Sequence, residues 1–343
     1  MNGIVSRQGA AVTARPLKLG FLGVGWIGRH RMKAICDSGL GEAVAIADPS
    51  EEMAREAKAI APGARIAADL DDLLCEHLDG LVIATPSANH AAQSIRALEA
   101  GIPVFCQKPL GRTASEVKAV IDASRAADRL LGVDLSYRHT KGMQKIRELI
   151  RANALGKVFA TDLTFHNAYG PDKPWFYDRS LSGGGCLIDL GVHLVDLALW
   201  SLDFPSVKTV TSRLRAGGKR LGQAGGQVED FATATLTLEG DEVVRLTCSW
   251  RLQAGCEAII GAEFFGTEGG ASFRNVDGSF YDFTADKLLG TSRKNLVQPP
   301  DEWGGRAAVD WARKLAREPG HDSACEEFLA VAEVIDRIYH GEE

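Results

Sequence analysis

Residues 17 to 28 read Leu-Lys-Leu-Gly-Phe-Leu-Gly-Val-Gly-Trp-Ile-Gly. The apolar run Leu17 to Val24 has strand character and Gly28 to Ser38 has helical character, so Gly23, Gly25 and Gly28 fall where a strand turns into a helix. Their spacing is G-x-G-x-x-G. The first glycine permits a tight turn, the second lets backbone approach a pyrophosphate, and the third lets the helix pack on the strand. The helix start, with Trp26 and Ile27 inside the motif, offers free N–H groups and a positive dipole end to phosphates. A second apolar strand, Glu42 to Ala47, ends at Asp48, which lies 48 − 28 = 20 residues past the last glycine. That is the spacing of a ribose-binding acid. The carboxylate suits both adenosine ribose hydroxyls and repels a 2′-phosphate, and Pro49-Ser50 supplies no arginine to offset it. NAD is therefore expected in preference to NADP.

Outward from this turn, strands alternate with helices. Helices are predicted over 51–60, 69–76, 89–100 and 113–127, and strands over 80–84, 103–107 and 130–135. Thr113 with Glu116 three residues on reads as a capping box. The alternation predicts a doubly wound parallel sheet, a Rossmann domain, over 17–137. The pattern then changes. A helix over 141–152, a strand over 157–166, a Gly/Pro/aromatic loop over 167–185 and a helix over 187–201 precede strands with period-two alternation. Residues 231–238 and 243–250 form a hairpin, with 258–265 and 271–274 extending the sheet and a helical tail over 303–339. Residues 138–343 are thus expected to form an α+β domain with a large, mostly antiparallel sheet, for substrate binding and oligomerisation, and residues 1–16 a tail. The fold class is α/β.

The 343 residues suffice for two domains, and 45% hydrophobic against 24% charged residues is ordinary globular composition. A net charge of −6 without any Lys/Arg block argues against nucleic acid or anionic membrane as a partner. Seven cysteines, an odd number without a C-x-x-C pair, fit reduced thiols and no metal site. No secretory signal is read at the start, and no apolar run is read as approaching the ~20 residues that span a bilayer. A cytoplasmic location is the expectation.

Three clusters carry chemistry. Thr85-Pro86-Ser87-Ala88-Asn89-His90 and Gln107-Lys108-Pro109 each follow a parallel strand, at the carboxyl ends where open α/β sheets bind ligands. The third is Gly183-Gly184-Gly185-Cys186-Leu187-Ile188-Asp189-Leu190-Gly191-Val192-His193. It puts Asp189 and His193 at i and i+4 on one helix face, with Asp196 further along it. Its glycines are expected to let substrate or cofactor approach the helix start. The preceding loop holds Tyr169, Asp172, Trp175, Tyr177, Asp178 and Arg179, of which Trp175 suits stacking on a sugar ring.

With these motifs the sequence resembles the Gfo/Idh/MocA oxidoreductases, which include inositol dehydrogenases and glucose-fructose oxidoreductase, over nearly the whole chain from residue 17. The matching segments are the glycine turn, T-P-x-x-x-H (Thr85 to His90), E-K-P and G-G-G-x-x-x-D-x-G-x-H. The resemblance implies hydride transfer between nicotinamide and a carbinol or carbonyl carbon of a sugar, cyclitol or related polyol. Lys108 then corresponds to the active-site lysine, His193 to the general acid/base and Asp189 to the residue that orients substrate or assists proton relay. Thr85, Pro86, His90 and Gln107 fall on the cofactor side, and Lys108, Trp175, Asp189 and His193 on the substrate side. Gln107 departs from the tripeptide's glutamate. It keeps an acceptor oxygen for a nicotinamide-ribose hydroxyl and loses a negative charge. Two alternatives share these motifs, an NAD-using glycosidase and a non-catalytic dinucleotide-binding sensor. The resemblance also implies a homodimer or homotetramer built on an apolar face of the antiparallel sheet.

Overall fold

The computed structural model describes residues 15–221 and 226–341, so most of the expected tail over 1–16 lies outside the described residues. Strands β1 (Leu17–Leu22), β2 (Gly41–Ala47), β3 (Arg65–Ile66), β4 (Gly80–Ile83), β5 (Val104–Cys106) and β6 (Leu131–Val133) form one sheet in the order β3-β2-β1-β4-β5-β6. Every pairing in it is parallel. The chain winds one way from β1 to β3 and the other from β4 to β6. A crevice therefore opens at the carboxyl ends of β1 and β4, the topological switch point. All of β4 and the last four residues of β1 are buried, because helices cover both faces.

Those helices are α1 (Trp26–Asp37), α2 (Glu51–Ile60), α3 (Leu70–Leu74), α4 (Ser87–Glu99) and α5 (Ala114–Ala127). Helix α1 begins two residues before the predicted Gly28. Its first residue, Trp26, is 59% exposed and so adds nothing to the apolar periodicity that marks the rest. Side-chain caps act where expected: Asp69 accepts from the Asp72 N–H and Thr113 from the Glu116 N–H. The capping box is corrected by one residue, because Glu116 Oε2 accepts from the Arg112 N–H at 2.7 Å instead of from Thr113.

The second sheet follows α6 (Lys141–Arg151). Its strands are β7 (Val158–Asn167), β8 (Val207–Ala216), β9 (Lys219–Arg220), β10 (Phe231–Leu238), β11 (Val243–Ser249), β12 (Ala258–Gly266), β13 (Gly270–Asn275), β14 (Phe283–Leu289) and β15 (Ser292–Val297). Their order is β15-β14-β13-β12-β7-β11-β10-β8-β9. The β10/β11 hairpin is present, and β7/β11 is a parallel pair in an otherwise antiparallel sheet. Strands β8 and β15 were not legible because their mostly exposed residues lack apolar alternation.

Helices α7 (Arg179–Ser182), α8 (Val192–Ser201), α9 (Arg306–Leu315) and α10 (Glu326–His340) complete the chain. Every residue of α8 is buried. The stretch Arg179–Ser201 is, against expectation, long and apolar enough to cross a membrane by length and composition, and 83% of its apolar window lies inside the fold. Ala232, Ala234, Leu236 and Leu238 of β10 join the same core as Val195 of α8 and Val334 of α10. The apolar alternating face expected to be free for assembly is thus the inner face. The outer face carries a row of Thr235, Arg245, Asp162 and Glu263, with Arg245 Nε donating to Asp162 Oδ1 at 2.6 Å.

The C-terminal helices reach back to the first sheet. Trp311 and Leu315 of α9 pack with Leu19 and Phe105, and the Trp311 and Phe105 rings lie 5.6 Å apart. Gly80 and Gly132 make room for that indole, since a Cβ at either would lie 2.7 or 2.6 Å from it.

Candidate active site

The three turn glycines differ in what requires them. Gly23 has φ +82°, and a Cβ there would lie 2.6 Å from the Ala84 carbonyl. A Cβ on Gly28 would lie 2.2 Å from the Gly23 oxygen. A Cβ on Gly25 meets nothing within 4 Å. Two glycines are thus fixed by the fold, while the third borders open space at the start of α1, where a pyrophosphate fits. Gly25→Ala is expected to leave the melting temperature near wild type and to weaken NAD binding by about tenfold or more, a loss of ~1.4 kcal/mol. Calorimetric titration checks this, and unchanged affinity would remove the turn from the cofactor site.

Asp48 braces the same turn. Its Oδ2 accepts from the Val24 N–H at 2.8 Å and its Oδ1 from the Ser50 N–H at 2.9 Å. Each oxygen keeps a second lone pair for a ribose hydroxyl.

A cavity of about 1090 Å³ runs from the turn to the segments that precede β14 and α9. It is lined by Gly25, Trp26, Ile27, Thr85, Pro86, His90, Gln107, Lys108, Trp175, Asp189 and His193. Of the predicted site residues, Gly23, Gly28 and Asp48 stand behind its wall. From the loop over 167–185, Asp172, Lys173, Trp175, Phe176 and Ser182 reach it. Tyr177 donates to the Pro171 carbonyl, Asp178 caps α7, and Arg179 lies over the Tyr339 ring.

Lys108 follows β5, and its bond to Pro109 is cis. Its Nζ donates to Asp189 Oδ1 at 2.6 Å and to the Asp189 carbonyl at 2.7 Å. Trp250 Nε1 donates to the other carboxylate oxygen at 3.1 Å. One carboxylate thus fixes the ammonium in the cavity and is itself held by an indole.

His193 is 7% exposed and lies edge-on to Tyr137, ring centres 4.9 Å apart. Its buried Nδ1 has no hydrogen-bond partner among the described residues. Burial, then the charges of Lys108 and Arg31, pull its pKa well below the ordinary 6.5. The ring is held neutral and buried on the cavity wall, with an Nδ1 that no group among the described residues meets.

Two expectations are corrected. Asp189 and His193 do not share one regular helix face: Leu187–Gly191 is a π turn, whose extra residue rotates Asp189 relative to α8. Asp196 is turned away into a buried ion pair with Arg138, whose Nε lies 3.0 Å from both carboxylate oxygens. The glycine run also serves the fold. A Cβ on Gly184 would lie 1.9 Å from the Tyr339 hydroxyl, and one on Gly185 1.9 Å from the Glu229 carbonyl. Glu229 is the residue missed here. Its Oε1 accepts from the N–H of Gly185 and of Leu187, both at 2.9 Å, and from the Tyr339 hydroxyl at 2.8 Å. It clamps the segment that carries Asp189, and nothing short-range in the sequence announces it.

His90 is buried, with Nδ1 2.7 Å from the Pro109 carbonyl and Nε2 2.7 Å from the Thr85 carbonyl. Burial lowers its pKa, and a neutral ring donates to only one of the two. It ties the Thr85 loop to the Lys108–Pro109 loop. Among the described residues no group of three His, Cys, Asp or Glu could hold a metal ion.

The parallel sheet, the glycine turn and a lysine and histidine in one cavity define a dinucleotide-dependent oxidoreductase. Residues 17–135 match the oxidoreductase family with NAD-binding Rossmann fold, and residues 143–272 the GFO/IDH/MocA C-terminal domain. The chain belongs to the Gfo/Idh/MocA family, and its first domain binds NAD. It is 29% identical over 289 residues to D-glucoside 3-dehydrogenase of Escherichia coli (strain K12), covering 77% of this chain and 78% of that one. It is 26% identical over 322 residues to inositol 2-dehydrogenase of Rhodococcus erythropolis, covering 85% and 90%. The crystal structure of GenD2 from gentamicin A biosynthesis in complex with NAD shares the fold with a TM-score of 0.81 at 24% identity, covering 98% of this chain and 97% of that one.

Proposed function

We propose that the protein transfers a hydride between NAD and a carbinol or carbonyl carbon of an uncharged sugar, cyclitol or related polyol. His193 is the general acid/base, assisted by Lys108 and Asp189. The observation that carries this reading is the buried His193 ring without a protein partner, on the same cavity wall as Lys108 and the glycine turn. NAD supplies the hydride acceptor for the carbinol carbon. The neutral imidazole takes the hydroxyl proton. The Lys108 ammonium, held from behind by Asp189, stabilises the negative charge that grows on the oxygen. Trp175 and Tyr281 on the lining offer aromatic surface to the C–H face of a sugar.

The electrostatics favour an uncharged substrate. Each lysine and arginine on the lining already has an acidic partner: Arg31 with Asp134, Lys33 with Asp37, Lys108 with Asp189, Lys173 with Asp172 and Arg306 with Asp301. A carboxylate or phosphate on the substrate would meet no unpaired cation among these residues.

The test is a screen of neutral polyols, cyclitols, aldoses and sugar acids with NAD, read at the NADH absorbance. NADH from neutral compounds, with little from their acid counterparts, is expected. Phenol release from nitrophenyl glycosides without net NADH would overturn the reading. The pH profile is a second check. Because the His193 pKa is depressed, its neutral, proton-accepting form persists to lower pH than in free histidine. Oxidation kcat/KM should stay flat through neutrality and fall only below pH 6.5, and an acid limb centred at or above 6.5 would contradict the assignment.

A further inference from the structure

Behind Lys108, polar side chains from three elements meet in the floor of the cavity. Asp134, just past β6, is 1% exposed. Its Oδ2 accepts from Arg31 Nε of α1 and from Gln107 Nε2 past β5, each at 2.5 Å. Its Oδ1 accepts from Ser136 Oγ at 2.9 Å. Arg31 and Gln107 both line the cavity beside Gly25 and Thr85.

An ion-paired carboxylate only accepts hydrogen bonds, so Gln107 must present its NH2 to Asp134. That leaves Gln107 Oε1 as an acceptor. No donor among the described residues meets it, and it is not among the fully buried polar atoms without a partner, so it borders the cavity. A buried ion pair rarely adds stability over apolar packing of the same volume, which gives reason to look for its use in the site it borders.

We propose that Asp134, held by Arg31, is a positioning residue that fixes Gln107 with its Oε1 toward the nicotinamide end of the cofactor, and that the 107/134 pair works with one negative charge, neither none nor two. The inference rests on reading this cavity as the NAD site. Removing the charge from position 134 strands Arg31 without its partner. Adding one at position 107 sets two carboxyl groups against each other. Moving the charge from 134 to 107 keeps the hydrogen bond, with donor and acceptor exchanged, and leaves Arg31 a carboxylate to pair with.

Four proteins decide the matter: wild type, Q107E, D134N and the Q107E/D134N exchange, each titrated with NAD by calorimetry without polyol, with melting temperatures alongside. Each single substitution is expected to weaken NAD binding by about tenfold or more, and the exchange to recover it to within about threefold of wild type. In Q107E the two carboxyl groups share a proton at low pH, so its affinity should fall as pH rises, while wild type and the exchange change little. The other titratable groups around the pair are His30 and Cys106, which feel the Asp134 charge, His193, which feels Arg31, and Lys108, next in the chain to Gln107. They are common to all four proteins and cancel in the comparison. An exchange variant whose loss is the product of the two single losses would overturn the proposal, as would Q107E with wild-type affinity at every pH. Should D134N fail to fold, the pH profiles of Q107E and the exchange variant decide alone. Failure of the wild type to bind NAD would count against the site reading and not against the pairing of these residues.

Discussion

His193→Asn lowers kcat for polyol oxidation by about 10²–10⁴-fold, the usual worth of a positioned general base, and leaves NAD affinity near wild type. The asymmetry follows from place. His193 sits at the start of α8, among Tyr137, Phe165 and Lys108, and makes no contact with the glycine turn or Asp48, to which the adenosine end is assigned. A melting curve separates lost chemistry from lost packing, since the ring touches core aromatics. Steady-state kinetics with wild-type kcat would show that another group moves the proton.

Lys108→Met lowers kcat by about 10²–10³-fold, the cost of one preorganised charge at a developing oxyanion. It also strands the half-buried Asp189 carboxylate with Trp250 as its remaining side-chain donor, so the single variant is expected to melt lower. Lys108→Met/Asp189→Asn removes the stranded charge. Its melting temperature should recover while kcat does not. Recovery of both in the double variant would mean that the lysine serves only to neutralise Asp189.

The parts of this site legible in the sequence are those whose residue types are dictated by neighbours a few positions away. Gly23 and Gly28 are forced by the turn itself, and Asp48 by the length of one strand-helix-strand unit. Lys108 lines the cavity, as expected of a residue that follows a parallel strand, because such strands deliver their carboxyl ends to one edge. The glycine run at 183–185 was found and given another cause: its room is taken by Arg112, Tyr339 and the Glu229 carbonyl, all distant in sequence. Asp196 shared a spacing with the site residues, yet its partner Arg138 lies 58 positions earlier and turns it away. Gln107 stood out in the tripeptide, while its partner Asp134 did not, because that bond joins adjacent strands across 27 positions. Helix α9 has an amphipathic pattern but nothing in it names the sheet it covers. Long-range pairing, more than local propensity, is what the sequence withheld.

The central claim is that hydride passes directly between a polyol carbon and NAD in this cavity, and isotope transfer tests it most directly. A neutral polyol from the screen, deuterated at its oxidised carbon, is turned over with NAD and the reduced cofactor is examined by mass spectrometry. The account predicts one deuterium per NADH formed and a slowed kcat/KM for the labelled substrate. NADH free of deuterium, or product formed with no NADH at all, would contradict it.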